Sequence, residues 1–276
     1  MTPIDETIVF PVSDERPASP MTPRATDAEL ARLLAQEAGR TLLQIRLGPL
    51  EGRALKDAGD AGSNELLLRR LAQERPDDVV LSEEAADPQA RRQASRVWIV
   101  DPLDGTREFS ERPRQDWAVH VALWANGELV AGAVAMPAAA VTYGTDAPPE
   151  VPPRADGPLR LAVSRTRPPA FVQTMAAELD AELVPMGSAG VKCASVWRGE
   201  ADAYVHAGGQ YEWDSAAPVA VARAAGLFTS RIDGSPLVYN RPDPLLPDLL
   251  VCRPEIADLI LRTTARHSRR GEEHDD

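Results

Sequence analysis

Hydrophobic positions along the chain recur at two periods. Near the start, Leu30, Leu33, Leu34, Ala38, Leu42 and Ile45 fall near helical spacing, which predicts a packing helix running to about Gln44, capped by Thr26 or Asp27. Gly39 interrupts it at some cost, and Gly48 with Pro49 closes it. Residues 50–64 carry Gly52, Gly59 and Gly62 and read as a flexible segment ahead of a second helix over 65–74, with Leu66, Leu67, Leu68 and Leu71 inward. Short apolar runs then take over at 79–81 and 97–100. Residues 118–124 and 129–136 flank Asn126-Gly127, the strongest hairpin signal in the chain, with a further strand at 140–144. Residues 146–158 hold several prolines and read as a linker. Beyond it strand and helix alternate: strands at 159–163, 182–185, 201–205, 235–237 and 249–252, and helices at 169–179, after 187, after 214 and from about 254 to 266. An antiparallel sheet with helices in the first half and a mixed sheet with helices in the second is a layered α+β or α/β sandwich. The division falls into lobes 26–158 and 159–266, between tails 1–25 and 267–276 that read as disordered, with Met21 as an alternative start to Met1.

One stretch concentrates the chemistry. Residues 97–109 read VWIVDPLDGTREF, an apolar strand that delivers Asp101 and Asp104 into a turn. Pro102 cannot continue a ladder, and Gly105 permits a close backbone approach. A short helix over 106–111 would point the amides of Gly105 and Thr106 outward, where they attract an anion. Two acids beside an anion-binding turn make sense together when divalent cations such as Mg²⁺ sit between them and a phosphate. The plain alternative is a solvated turn or cap.

Composition narrows the class. The 276 residues are 43% hydrophobic, enough for one large domain or two small ones, and no apolar run of about 18 residues exists to span a membrane. No secretory signal is read at the start. A net charge of −12 argues against a nucleic-acid polymer as ligand, and bound metal ions would supply the positive charge that an anionic substrate needs. Only two cysteines, Cys193 and Cys252, are present and lack metal-ligand spacing, so a reducing cytoplasm is the default. Only Lys56 and Lys192 are lysines among 30 basic residues. His120 reads as a core or sheet histidine, and His267 and His274 as unlikely ligands.

DPLDGT resembles the signature of the Mg²⁺-dependent, lithium-sensitive phosphatases of the inositol monophosphatase superfamily, and its continuation REF looks like the CysQ-type 3′(2′),5′-bisphosphate nucleotidase branch. The resemblance implies an αβαβα sugar-phosphatase fold and two or three Mg²⁺ ions held by Glu83, Asp101, the Leu103 carbonyl, Asp104 and Asp214. It implies that Thr106 with Glu83, or with Asp60, orients the attacking water. Asp60 is placed by counting back from Ser82-Glu83-Glu84, and Asp57 stands where the family usually has Thr. Glu84 reads as solvated or structural. On the substrate side the resemblance implies Gly105, Thr106, Arg107, Arg165, Ser188, Ala189, Lys192 and His206. The helix after Gly187 offers its small-residue start to a phosphate. Inositol monophosphatases place a Glu where this chain has Ala207, and the nucleotidases often carry Arg where it has His206. The implied activity is hydrolysis of 3′-phosphoadenosine 5′-phosphate, with or without its sulfated form, to AMP and phosphate in sulfate assimilation. Inositol-phosphate or fructose 1,6-bisphosphate hydrolysis, or a non-catalytic metal-binding module, are the alternatives, and a homodimer is left open.

Overall fold

The computed structural model describes residues 25–272, and the expectations for 1–24, 273–276 and the His267 and His274 side chains lie outside it. Helix α1 (Asp27–Leu47) starts at Thr26, whose hydroxyl accepts the Glu29 amide while Glu29 reaches back to the Thr26 amide, a reciprocal capping box. Helix α2 runs unbroken over Gly52–Glu74, so the segment read as flexible is helical. The glycines misled because they serve packing. A Cβ on Gly59 would stand 2.7 Å from Phe109 and 2.9 Å from Leu103, and one on Gly62 would stand 2.8 Å from Ile45. Gly39 does the same in α1, where a Cβ would meet Pro137 at 2.7 Å.

Both helices cover one face of a five-stranded sheet ordered β1-β2-β3-β4-β5, formed by β1 (Val79–Ser82), β2 (Arg96–Asp104), β3 (Ala118–Ala125), β4 (Glu128–Met136) and β5 (Val141–Gly144). Only β1 with β2 is parallel. Asn126 and Gly127 both have positive φ in the predicted hairpin turn. Strand β2 does not end at Pro102. Asp101 pairs with His120 and Asp104 with Ala118, so Pro102 and Leu103 face the single residue Val119 across a bulge. The proline is tolerated there because the ladder bond it cannot donate is already lost to the bulge.

A second sheet, ordered β7-β6-β8-β10-β9, comprises β6 (Arg160–Ser164), β7 (Glu182–Met186), β8 (Ala203–Tyr211), β9 (Phe228–Ser230) and β10 (Leu245–Cys252). The strand expected at 235–237 is absent, and β9 takes the sheet edge instead. Leu237 is buried without strand pairing, which explains its apolar signal. Helices α5 (Ala189–Trp197) and α6 (Glu212–Ala224) lie between the sheets, where one core joins Ile99 and Val134 to Tyr204 and Val251. Helices α4 (Ala170–Glu178) and α7 (Ala257–Glu272) cover the outer face of the second sheet. The order of layers is αβαβα. Helix α7 continues beyond the expected end at 266 to Glu272. Among the described residues no helix is long and apolar enough to cross a membrane.

Candidate active site

The bulge in β2, the short helix α3 (Thr106–Ser110) behind it and the N-termini of α5 and α6 converge at one end of the middle layer. Asp101 and Asp104 come from the bulge, and Asp214 from the first turn of α6, where it also accepts the Tyr211 amide at 2.6 Å. Candidate ligand oxygens of these three acids lie within 4.8 Å of one another, so the predicted central set is brought together. Glu83, just past the end of β1, joins them with Asp101 as a hydrogen-bond partner. Ser82 at the strand end is anchored to Asn64 of α2 by a 2.8 Å hydrogen bond.

The electrostatics of the cluster are those of carboxylates short of cations. Burial, then Glu83 and Asp104, push Asp101 well up. Desolvation, then Asp214, push Glu83 up to about 7, although the residue as a whole is exposed. Burial, then Asp104, push Asp214 up to about 6. Asp104 alone goes the other way. Burial opposes its ionisation, but His120, Lys192 and the Ser188 hydroxyl together hold it below the usual carboxylate range. A gathering of oxygen donors with this unmet negative charge fits hard divalent cations such as Mg²⁺ or Ca²⁺ better than any soft metal, because no thiolate takes part.

Asp60 and Thr106 form a second group. Thr106 Oγ1 lies 3.1 Å from the Leu103 carbonyl and 3.4 Å from Asp60 Oδ1. Burial, then Glu84, push Asp60 up to about 7, with the charge of Lys56 opposing. Gly105 turns the chain into α3 at φ +82°, a left-handed conformation that a side chain would strain, and a Cβ there would stand 3.2 Å from Ser188 Cβ and 3.3 Å from Trp117 Cα.

The start of α5 differs from the expectation. Its small residues do not present free amides to an anion: Ala189 N and Gly190 N donate to Asp104 at 3.0 and 2.7 Å, and Val191 N donates to Ser188 Oγ. The Ser188 hydroxyl itself donates to Asp104. An internal carboxylate thus occupies the helix terminus and ties the first sheet to the second layer of helices. Lys192 Nζ donates to the Ser188 carbonyl at 2.6 Å and sits 5.3 Å from the Tyr204 ring centroid. A cavity of about 500 Å³ opens beside these groups, lined among others by Asp104, Asp214, Lys192, His206, Tyr211 and Leu245. Burial pushes His206 down, and its Nε2 lies 3.0 Å from the Gly209 carbonyl, which leaves it a neutral donor rather than a phosphate-binding cation.

Two predicted substrate arginines are engaged by carboxylates of the chain itself. Arg165 is held by Glu108 at 2.7 Å and Glu111 at 2.6 Å, so its fork is filled by carboxylates of α3 and its flank. Arg107 is exposed and pairs with Glu111. His120 is the residue the sequence reading underrated. It is buried in β3 as expected, but its Nε2 reaches Asp104 Oδ2 at 3.1 Å. Its neighbours in sequence are all apolar or small, and it is the β2–β3 pairing, joined by no tight turn, that sets His120 opposite Asp101.

Comparison with known proteins adds to this geometry. The inositol monophosphatase family model matches residues 25–269. A Mycobacterium tuberculosis protein named 3′-phosphoadenosine 5′-phosphate phosphatase is 54% identical over 243 residues, covering 83% of this chain and 90% of that protein. The Escherichia coli 3′(2′),5′-bisphosphate nucleotidase CysQ is 31% identical over 233 residues, 77% of this chain and 94% of its own length. Among solved structures, CysQ from Bacteroides thetaiotaomicron superposes with a TM-score of 0.68 at 28% identity, over 81% of this chain and 96% of that one.

Proposed function

We propose, because this chain belongs to the inositol monophosphatase family, that it is a Mg²⁺-dependent phosphatase that cleaves the 3′-phosphate of 3′-phosphoadenosine 5′-phosphate, yielding AMP and phosphate. The observation that carries this reading is the 54% identity to a phosphatase named for that substrate, over nine-tenths of the relative's length.

In this reading Glu83, Asp101, the Leu103 carbonyl, Asp104 and Asp214 hold two or three divalent cations. Bound there, the ions would offset the phosphate's charge, acidify a water and stabilise the departing ribose oxygen. The chain's own residues supply position. Thr106, fixed between the Leu103 carbonyl and Asp60, offers its hydroxyl to a water placed in line with phosphorus. Asp60, pushed up to about 7, is suited to take that water's proton near neutral pH. His120 and the α5 amides saturate one side of Asp104 and so fix the direction of its remaining lone pair. Positioning and charge stabilisation carry most of the rate in phosphoryl transfer, so no covalent phosphoenzyme is required.

The test is to compare kcat/KM of the purified chain, with Mg²⁺, on 3′-phosphoadenosine 5′-phosphate, inositol 1-phosphate and fructose 1,6-bisphosphate. The nucleotide is expected to lead. Equal or greater efficiency on inositol phosphate overturns the substrate assignment, and undiminished phosphate release in EDTA overturns the metal assignment.

A further inference from the structure

The mouth of the cavity carries an aromatic platform that no acid, phosphate or metal requires. Tyr211, at the end of β8, is 46% exposed and lines the cavity. Its ring stacks on Trp213 with centroids 4.7 Å apart and planes only 10° from parallel. Trp213 is partly buried against the core between the sheets, so it forms a firm backing on one side of Tyr211. The Tyr211 backbone is fixed as well, since its amide donates to Asp214 and the residue pairs with Leu245 of β10.

Two glycines line the same cavity without side chains. Gly208 and Gly209 have φ of +109° and +86°, and a Cβ on Gly208 would meet nothing within 4 Å. Leu245, 43% exposed, adds an apolar edge. The cavity wall therefore carries two kinds of surface: Asp104, Asp214 and Lys192 on the one hand, and a flat, water-exposed tyrosine with a leucine on the other. A sugar phosphate or inositol phosphate is polar on all sides and gains nothing from the aromatic and apolar surface. A molecule that carries both a phosphate and a planar base matches both.

We propose that Tyr211, backed by Trp213, is the specificity-determining stacking platform for the purine base of a nucleotide whose phosphate faces the acids. This deepens the phosphatase reading and rests on it for the orientation of the phosphate. Stacking one base on an aromatic side chain is worth about a tenfold change in affinity or more.

The experiment is calorimetric titration of the full chain in Mg²⁺ with AMP and, separately, with ribose 5-phosphate, for the parent and for Tyr211→Ala and Tyr211→Phe. Tyr211→Ala is expected to weaken AMP by about tenfold, to leave ribose 5-phosphate affinity where it was, and to be rescued by Tyr211→Phe. Equal weakening of both ligands would assign Tyr211 a structural role and overturn the proposal, as would AMP affinity indifferent to the substitution. Phosphate release from 3′-phosphoadenosine 5′-phosphate by the parent is followed in parallel. A parent that releases none while binding AMP through Tyr211 defeats the phosphatase reading alone, and one that turns over with Tyr211-independent AMP binding defeats the platform alone.

Discussion

His120 faces Asp101 across the β2–β3 pair, yet its imidazole reaches past that partner to Asp104: Nε2 is 3.1 Å from Asp104 Oδ2, while Nδ1 is 3.1 Å from the Trp213 carbonyl. Both neighbours are oxygens that favour a protonated, positively charged ring. Burial works against that charge, but Asp104 outweighs it and holds His120 above the ordinary imidazole range. One histidine thereby joins β3, the bulge of β2 and the first turn of α6.

Replacing His120 by Ala should therefore cost stability beyond the lost packing. It leaves a buried carboxylate without its charged partner, a change worth about 3 kcal/mol. Urea denaturation should show a lower midpoint at unchanged slope. An unshifted midpoint would mean that the α5 amides alone satisfy Asp104.

Asp101→Asn should separate folding from turnover. The Asn side-chain oxygen can still accept the Leu103 amide, now 3.0 Å from Asp101 Oδ1, and the neutral group removes repulsion from Glu83 and Asp104. The metal-free variant is expected to melt no lower than the parent, while kcat falls by about 10²-fold or more with the loss of one ligand. Near-normal phosphate release would contradict the ligand assignment.

The acids also predict an unusual pH profile for the metal-free protein. Asp60 and Glu83 at about 7 and Asp214 at about 6 titrate above their unfolded values. The folded state then holds protons that the unfolded chain has already released, so stability is fully present below about pH 4 for these groups and declines as pH rises to about 7. Asp104, shifted the other way, acts only below that window. In EDTA the Tm should fall between pH 5 and pH 7, and Mg²⁺ should raise it more at the higher pH. A Tm in EDTA that climbs across this range would refute the reading.

Gly59→Ala sets two effects against each other. Alanine improves helix propensity by about 1 kcal/mol. Its Cβ, however, would stand 2.7 Å from Phe109 and 2.9 Å from Leu103, both fully packed, an overlap that costs about 1–3 kcal/mol. The net expectation is a lower Tm. It should be joined by a raised Mg²⁺ requirement, because Leu103 also supplies the carbonyl beside Thr106. A stabilised variant would show that Phe109 can yield.

Much of this was legible because it is local. The strand ending in Asp101 and Asp104, the Asn126-Gly127 turn and the Thr26 cap each follow from a few adjacent residues. The layered fold followed from the change in element pattern near residue 158. The errors were tertiary. Gly59 and Gly62 weaken an isolated helix and looked like hinges, but each admits a neighbouring side chain. Nothing in the local sequence of Arg165 shows its pairing with Glu108 and Glu111, which are brought to it from more than fifty residues away. The start of α5 looked open because nothing in its own sequence reveals that Asp104 fills it.

The middle layer has a last implication. Helices α5 and α6 are wedged between two sheets, and neither sheet owns a complete interior without them. Severing the backbone within 146–158 would not release two self-sufficient halves. The nicked pieces should stay interlocked through their shared filling, with Asp101 on one piece still confronting Asp214 on the other.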